Sequence, residues 1–229
     1  MKRLVPVCVV LVLALTAYVL QPSSTHTLVA QSRQPAGTTH TGKAFRFNKV
    51  TEGVYHAVGT GALAVVGNSA FIVNDNDVIV VDDHVSPAAA WVLLEEIKEV
   101  TNKPVTTVIN THFHFDHAHG NQIFEPGVQI IGHEFTRRML LGNPTGMPLY
   151  QGYINAMPGQ VDTLKKRIAS EADAAAKAKL ETQLQVLENN YASQKELKPT
   201  PPNVTLSTEM TLYRGAREIQ IRYLGRGHT

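Results

Sequence analysis

The sequence predicts a mixed α/β (α+β) fold. Three observations carry that expectation: short β-branched runs bounded by turn residues, a capped helix lying between two of them, and a dense His/Asp cluster directly after the second run. With 229 residues and 43% hydrophobic content the chain can bury a sizeable core, so one domain behind a leader is the simplest organisation.

Met1-Lys2-Arg3, an apolar run Leu4–Leu20 and polar Gln21-Pro22-Ser23-Ser24 have the layout of a secretory signal peptide, assigned to residues 1–30. A retained membrane anchor is the alternative, because the run approaches the ~20 residues that span a bilayer. Leu28-Val29-Ala30 puts a bulky residue where cleavage prefers a small one, so the cleavage site stays open. Cys8, the only cysteine, lies inside this run, so an exported protein would carry neither disulfides nor thiolate ligands. Residues 31–44 are rich in Ser, Thr, Gln, Pro and Gly without periodicity and read as a disordered tether; the domain is expected over 45–229.

Val54–Val58, Ala70–Val73 and Val78–Val81 read as strands, the last two split by the turn Asn74-Asp75-Asn76-Asp77, which suggests an antiparallel start to a sheet. Ser86-Pro87 opens a helix over 87–100, and Asn102-Lys103-Pro104 closes it. With strand 105–110 this makes a β-α-β unit whose strands should be parallel and buried. Strand Val128–Ile131, helix Glu134–Leu141 and a loop over 142–159 follow. Over 160–198 the composition shifts to Ala, Glu, Lys, Gln and Leu, with apolar stripes Val161, Leu164, Ile168 and Leu180, Leu184, Leu187, Tyr191: a long helix or helical hairpin inserted between strands. Lys198-Pro199-Thr200-Pro201-Pro202 stops it. Thr211–Tyr213 and Glu218–Leu224 flank Arg214-Gly215-Ala216-Arg217 as a hairpin, with Ile219, Ile221 and Tyr223 on one face.

Gly59-Thr60-Gly61-Ala62-Leu63-Ala64 fits a dinucleotide-binding GxGxxA, and Asp82 ends a strand about twenty residues on. Val65-Val66-Gly67-Asn68-Ser69 is a poor helix, which argues against that site. Net charge is +2 with no Lys/Arg cluster, so no nucleic-acid partner is expected.

The chemistry concentrates in His112-Phe113-His114-Phe115-Asp116-His117. In an extended segment His112, His114 and Asp116 share a face, Phe113 and Phe115 turn to the apolar side, and His117 requires the backbone to turn. Such spacing suits two metal ions, and ligand sites in such sheets gather beyond the strands' carboxyl ends, where this cluster lies. His56, His84, His119 and His133 are expected at surface or turn positions, or behind the ligands.

Thr111–His117 resembles the HxHxDH signature of the metallo-β-lactamase superfamily, Val81-Asp82 resembles its preceding aspartate-bearing strand end, and Gly227-His228-Thr229 resembles its next histidine motif. The resemblance covers roughly 45–229. It implies a four-layer αββα sandwich with metals at one edge, of which this chain supplies the first half plus the helical insertion. By the same resemblance His112, His114 and His228 hold one metal, Asp116 and His117 are part of a second site, Asp116 is the catalytic group, and Asp82 orders the site. A complete member has a second β-α half carrying a bridging aspartate and a final histidine. The chain is therefore expected to be incomplete, with the apolar face of strand 218–224 uncovered.

His and Asp ligands without thiolate favour zinc, in two ions, although iron and manganese suit the same ligands. Two such ions generate a hydroxide at neutral pH and polarise a substrate oxygen. The function read from this is an exported, periplasmic or secreted, metal-dependent hydrolase of a small-molecule amide, ester or thioester, off the membrane once its signal is cleaved. His117 argues against a di-iron flavoprotein, where family patterns place a carboxylate at the position of His114. The alternative class is a non-hydrolytic exported binding or redox-relay accessory on the same scaffold. Oligomeric state is not legible.

Overall fold

Seven strands build one sheet in the computed structural model, which describes residues 34–228. The expected signal segment 1–30 with Cys8, the first residues of the expected tether and Thr229 lie outside the described residues. β1 (Phe45–Thr51), β2 (Val54–Gly59), β3 (Ser69–Val73) and β4 (Val78–Val81) form an antiparallel meander. β5 (Val105–Asn110), β6 (Gln129–His133) and the short β7 (Val204–Leu206) extend it in parallel. Because β2 and β3 pair antiparallel with no helix between them, the GxGxxA segment does not open a dinucleotide-binding unit.

Helix α1 (Pro87–Ile97) crosses from β4 to β5 as expected, with Pro87 in its first turn and the Ser86 hydroxyl accepting from Ala89 N at 3.2 Å. Side chains alternate along the parallel strands, so each strand feeds two cores. Val78, Val80, Val108 and Ile130 pack under α1 against Ala89, Leu93 and Ile97. Ile79, Ile109 and Ile131 point the other way, to a second cluster closed by Met210, Leu212, Ile219 and Ile221. Those four residues belong to the hairpin β8 (Glu209–Arg214) and β9 (Arg217–Arg222), which among the described residues pairs only with itself. Helix, sheet and second sheet thus stack in three layers, and burial on both faces explains the continuous apolar run Val78–Val81. The hairpin's apolar face was expected to be bare; Ile219 and Ile221 instead cover the second face of the large sheet. Tyr223 departs from that face and stacks on His133 at 4.3 Å.

A four-residue helical turn α2 (Phe115–Ala118) follows β5, and α3 (Glu134–Leu141) follows β6. Then come α4 (Pro148–Ser170) and α5 (Ala174–Lys195), which pack along each other. The insertion is a hairpin and starts at 148, not 160, so part of the expected loop 142–159 is helical. Pro158, Gly152 and Gly159 made that stretch read as loop; burial of Tyr150 and Met157 holds it helical. Polar ties fix the hairpin to the layer of α1: Ala88 N donates to Ser193 Oγ at 3.0 Å, and Gln194 Nε2 donates to Val85 O at 2.8 Å. Residues 34–44 depart from a free tether. Ala36 N donates to Glu196 Oε2 at 2.9 Å, and Ala44 N and Phe45 N donate to the Glu96 carboxylate at 2.7 and 3.0 Å. No helix among the described residues is long and apolar enough to cross a membrane.

Candidate metal centre

The carboxyl ends of β4 and β5 set the centre, because parallel pairing brings Asp82, just past β4, beside Thr111, just past β5. Asp82 N donates to Ile109 O at 2.9 Å, and the Asp82 carboxylate accepts from Thr111 N at 2.8 Å and from Thr111 Oγ1 at 2.7 Å. Asp82 sits at φ 58°, in the left-handed region, as does His84 at φ 73°. Non-glycine residues held there carry strain on the order of 1–3 kcal/mol, which the surrounding hydrogen bonds offset.

The backbone turns earlier than the extended reading expected. His114 is the N-cap of α2, so the change of direction falls between His114 and Phe115 rather than at His117. Phe113 is buried with Ala118 and Leu140, whereas Phe115 packs towards the core under α1. Those two aromatic anchors, on opposite sides of the turn, throw the four polar side chains towards one edge.

His112, His114 and His228 converge there, each offering a ring nitrogen within 4.8 Å of the others'. His228 comes from the segment after β9, and its ring centroid lies 5.4 Å from that of His112 and 4.6 Å from that of His114. The tautomer of His112 follows from its neighbour. Thr111 has one hydroxyl proton, which goes to Asp82; its 3.0 Å contact with His112 Nδ1 is therefore a hydrogen bond donated by the imidazole. That leaves His112 Nε2 as an unprotonated lone pair, buried and without a hydrogen-bond partner. Burial, followed by the charges of His117 and His114, pushes the His112 pKa down to about 4, so the ring is neutral near pH 7. A buried, neutral, unpartnered lone pair beside two more imidazoles is the donor set a borderline-soft divalent ion needs. The residues present fit a metal.

Asp116 and His117 lie differently. His117 Nδ1 is 2.8 Å from Asp82 Oδ2, and His117 Nε2 is 3.3 Å from Asp116 Oδ2. Burial opposes charge on His117, but the Asp116 and Asp82 hydrogen bonds and charges outweigh it and carry its pKa up to about 10. Burial would raise Asp116, yet the His117 hydrogen bond and charge win and hold it below its usual value. The His117 ring still lies against the cluster, its centroid 4.1 Å from that of His112.

Of the groups behind the site, the sequence had left His84 and His119 open between surface, turn and a place behind the ligands, and it missed Asp83, Asn110 and Asn121. His84 is fully buried, with Nε2 2.8 Å from Ser69 Oγ, which in turn donates to Asp82 O at 2.7 Å. Asp83, also buried, accepts from Gly120 N at 3.0 Å, and burial reinforced by the Asp82 charge pushes its carboxyl well up. His119 is buried against Phe115 and Tyr150, and Asn110 and Asn121 exchange side-chain hydrogen bonds at 3.1 and 2.8 Å. A run of polar residues straight after the apolar strand Val78–Val81 was the available signal for Asp83 and His84. Of the remaining histidines, His133 donates from Nε2 to Ser207 O at 3.0 Å, and His56 lies half-buried on β2.

The sequence matches the family described as the metallo-beta-lactamase superfamily over residues 62–179, a span that includes His112, His114, Asp116 and His117. Solved structures with similarity include DIM-1 metallo-beta-lactamase, at 18% identity over 81% of this chain and 61% of that one, with a TM-score of 0.46. A metallo-beta-lactamase from Pontibacter korlensis matches at 16% identity over 81% and 63%, with a TM-score of 0.49. FIM-1 from Pseudomonas aeruginosa, in a mono-zinc form, matches at 20% identity over 44% and 47%, with a TM-score of 0.38. The chain spans less than two thirds of the length of each. No curated protein matches it.

Proposed function

Because this chain belongs to the metallo-beta-lactamase superfamily, we propose that it is a metal-dependent hydrolase of a small-molecule amide, ester or thioester. The observation that carries the reading is the three-imidazole cluster with the buried lone pair of His112. In this reading His112, His114 and His228 hold one ion, and Asp116 and His117 hold part of a second. The ions are zinc, given imidazole and carboxylate donors and no cysteine beyond Cys8. Zinc at such ligands supplies a Lewis acid and brings the pKa of water towards neutral.

The protein's own residues have separable roles. Thr111 fixes the tautomer of His112, and Asp82 holds both Thr111 and the Nδ1 side of His117. Asp116, held ionised by His117, is the carboxylate available at this edge to take a proton from water once His117 Nε2 has given up its own. The protein acts outside the cytoplasm, in the periplasm or beyond, on the strength of the signal-like segment 1–30. The test is turnover of a chromogenic β-lactam, a thioester and a 4-nitrophenyl ester by the purified protein, before and after chelation. Turnover of at least one, lost on chelation and restored by zinc, is expected. Activity indifferent to chelation, or no hydrolysis of any of the three by zinc-loaded protein, would overturn the reading.

A further inference from the structure

At the opposite end of the sheet from the metal centre lies a cleft of about 680 Å³, walled by the turns β1–β2, β3–β4 and β8–β9 and by the chain that leaves α1. Asn74 and Asp75 precede β4 and Lys103 precedes β5, whereas the candidate ligands His112 to His117 follow β5; no candidate ligand lines this cleft. The two places are separated by roughly 16 Å of β4. Its volume suits a small molecule, within the usual ~300–1,000 Å³.

The charges around the cleft divide into those the fold engages and those it leaves. Arg214 is engaged: its Nε lies 2.8 Å from Asp77 Oδ2, and its Nη2 donates to Thr107 Oγ1 at 3.2 Å. The Glu52 carboxylate is engaged too, 2.6 Å from Lys49 Nζ. Lys103 and Arg217 are not. Lys103 Nζ donates to Asn74 O at 2.7 Å and Arg217 Nη2 to Glu52 O at 3.0 Å, and among the described residues neither cation pairs with a carboxylate. Backbone oxygens thus place two charges without neutralising them. Glycine at position 53, at φ 70°, makes room for one of them, since a Cβ there would lie 2.8 Å from Arg217 Nη2.

Two acceptors stand beside these cations. The Asp75 carboxylate is exposed, lies against Gly215 and has no cation partner among the described residues. Asn74 is 5% exposed, and its Nδ2 donates to Asp77 Oδ1 at 2.9 Å. An ionised carboxylate can only accept, so the amide nitrogen must face Asp77, and Asn74 Oδ1 is left in the wall without a donor.

We propose that this cleft binds a free α-amino acid with an apolar side chain, its carboxylate on Lys103 and Arg217 and its ammonium on Asp75 and Asn74 Oδ1. Two unpaired cations, one unpaired carboxylate and one orphaned carbonyl oxygen complement a zwitterion group for group, through charge-assisted hydrogen bonds at both ends. A phosphate-like dianion would offer no donor to Asp75 or Asn74. The side chain meets Val73, exposed Val100 and Tyr55, whose ring is fixed by stacking on Phe71 at 4.7 Å. None of this depends on the hydrolase reading.

Calorimetry on the full chain tests it with L-leucine, with 4-methylpentanoate, which lacks the ammonium, and with 3-methylbutylamine, which lacks the carboxylate. Leucine should bind one per chain, and each truncated ligand on the order of tenfold more weakly. Asp75→Asn should erase the advantage of leucine over 4-methylpentanoate. Lys103→Gln/Arg217→Gln should erase its advantage over 3-methylbutylamine. Because amino acids also chelate zinc, the titration is repeated on His112→Ala/His114→Ala, where leucine binding should persist. Absence of leucine binding, equal binding of the three ligands by wild-type protein, or tighter binding of inorganic phosphate than of leucine would overturn the proposal without recourse to a variant. Wild-type leucine affinity in both charge variants would overturn it too, as would loss of binding with the two imidazoles, which would put the amino acid on the metal centre.

Discussion

Two halves of one His/Asp cluster are prepared for ligands in opposite ways. His112 is neutral by burial and presents a lone pair with nothing to accept. His117, whose ring centroid is 4.1 Å away, is wedged between Asp82 and Asp116 and held protonated by both. The first arrangement waits for a cation; the second already holds one, in the form of a proton. Metal binding at His117 must therefore displace that proton, whereas binding at His112, which burial holds neutral near pH 7, need displace none.

The largest expected effect strikes the first half. His112→Ala with His114→Ala removes two of three imidazoles, and the protein should lose the metal of that site altogether, as elemental analysis after dialysis will show. Retention of wild-type zinc content by the double variant would mean that the cluster is not the site. Next in size is Asp116→Asn, which keeps the shape but removes a charge. Turnover should fall on the order of 10²–10⁴-fold, the usual worth of a general base, while first-site metal is retained. The His117 pKa, followed by NMR, should drop from about 10 as one of its two anions disappears. Unchanged kcat would remove Asp116 from the chemistry.

How much of this was legible in the sequence differs between the halves for a physical reason. Local signals served where they were strong: the capping serine before α1, the strand run Val78–Val81, and the span Glu134–Leu141 all hold in the structure. The convergence of His112, His114 and His228 was legible through family resemblance, since nothing local brings residue 228 to residue 112. The state of each histidine was not legible. It depends on which neighbour supplies a proton and on burial, both set by the parallel β4–β5 pairing that juxtaposes Asp82 and Thr111. The extended reading of 112–117 failed because Phe113 and Phe115 are pulled to separate cores, which needs a helical turn rather than a pleat. β7 escaped notice because three residues carry too little pattern.

A pH experiment on metal-free protein sharpens the contrast. His84, His112 and His119 are each held down to about 4 by burial, below the ordinary histidine value of 6.5. A depressed pKa contributes stability that is present above 6.5 and lost as pH falls through the window to about 4. Each proton taken up by the unfolded chain alone is worth ~1.4 kcal/mol per pH unit there. The raised pKa of His117 has the opposite sign: its contribution is present below 6.5 and lost as pH rises through about 10. Tm should therefore peak near neutrality and fall on both sides. Asp116→Asn should flatten the alkaline arm, and an alkaline flank that survives that substitution unchanged would show that His117 does not produce it.

The smallest expected effect belongs to the atom that joins the halves. Thr111 Oγ1 gives its proton to Asp82 and accepts from His112 Nδ1, so one hydroxyl sets both the carboxylate that holds His117 and the tautomer of His112. Thr111→Val keeps the volume and branching but leaves the His112 Nδ1–H without its acceptor and Asp82 without one of its three donors. His112 can then place its proton on either nitrogen, and only one of those tautomers leaves Nε2 free. Groups that orient metal ligands in this way are worth ~10–100-fold in affinity, and zinc binding measured by competition with a chromogenic chelator should weaken by about that much. Thr111→Ser should restore it, since the hydroxyl and not the methyl carries both bonds. Equal weakening in the serine and valine variants would mean that packing of the methyl, rather than the proton it sits beside, is what residue 111 supplies.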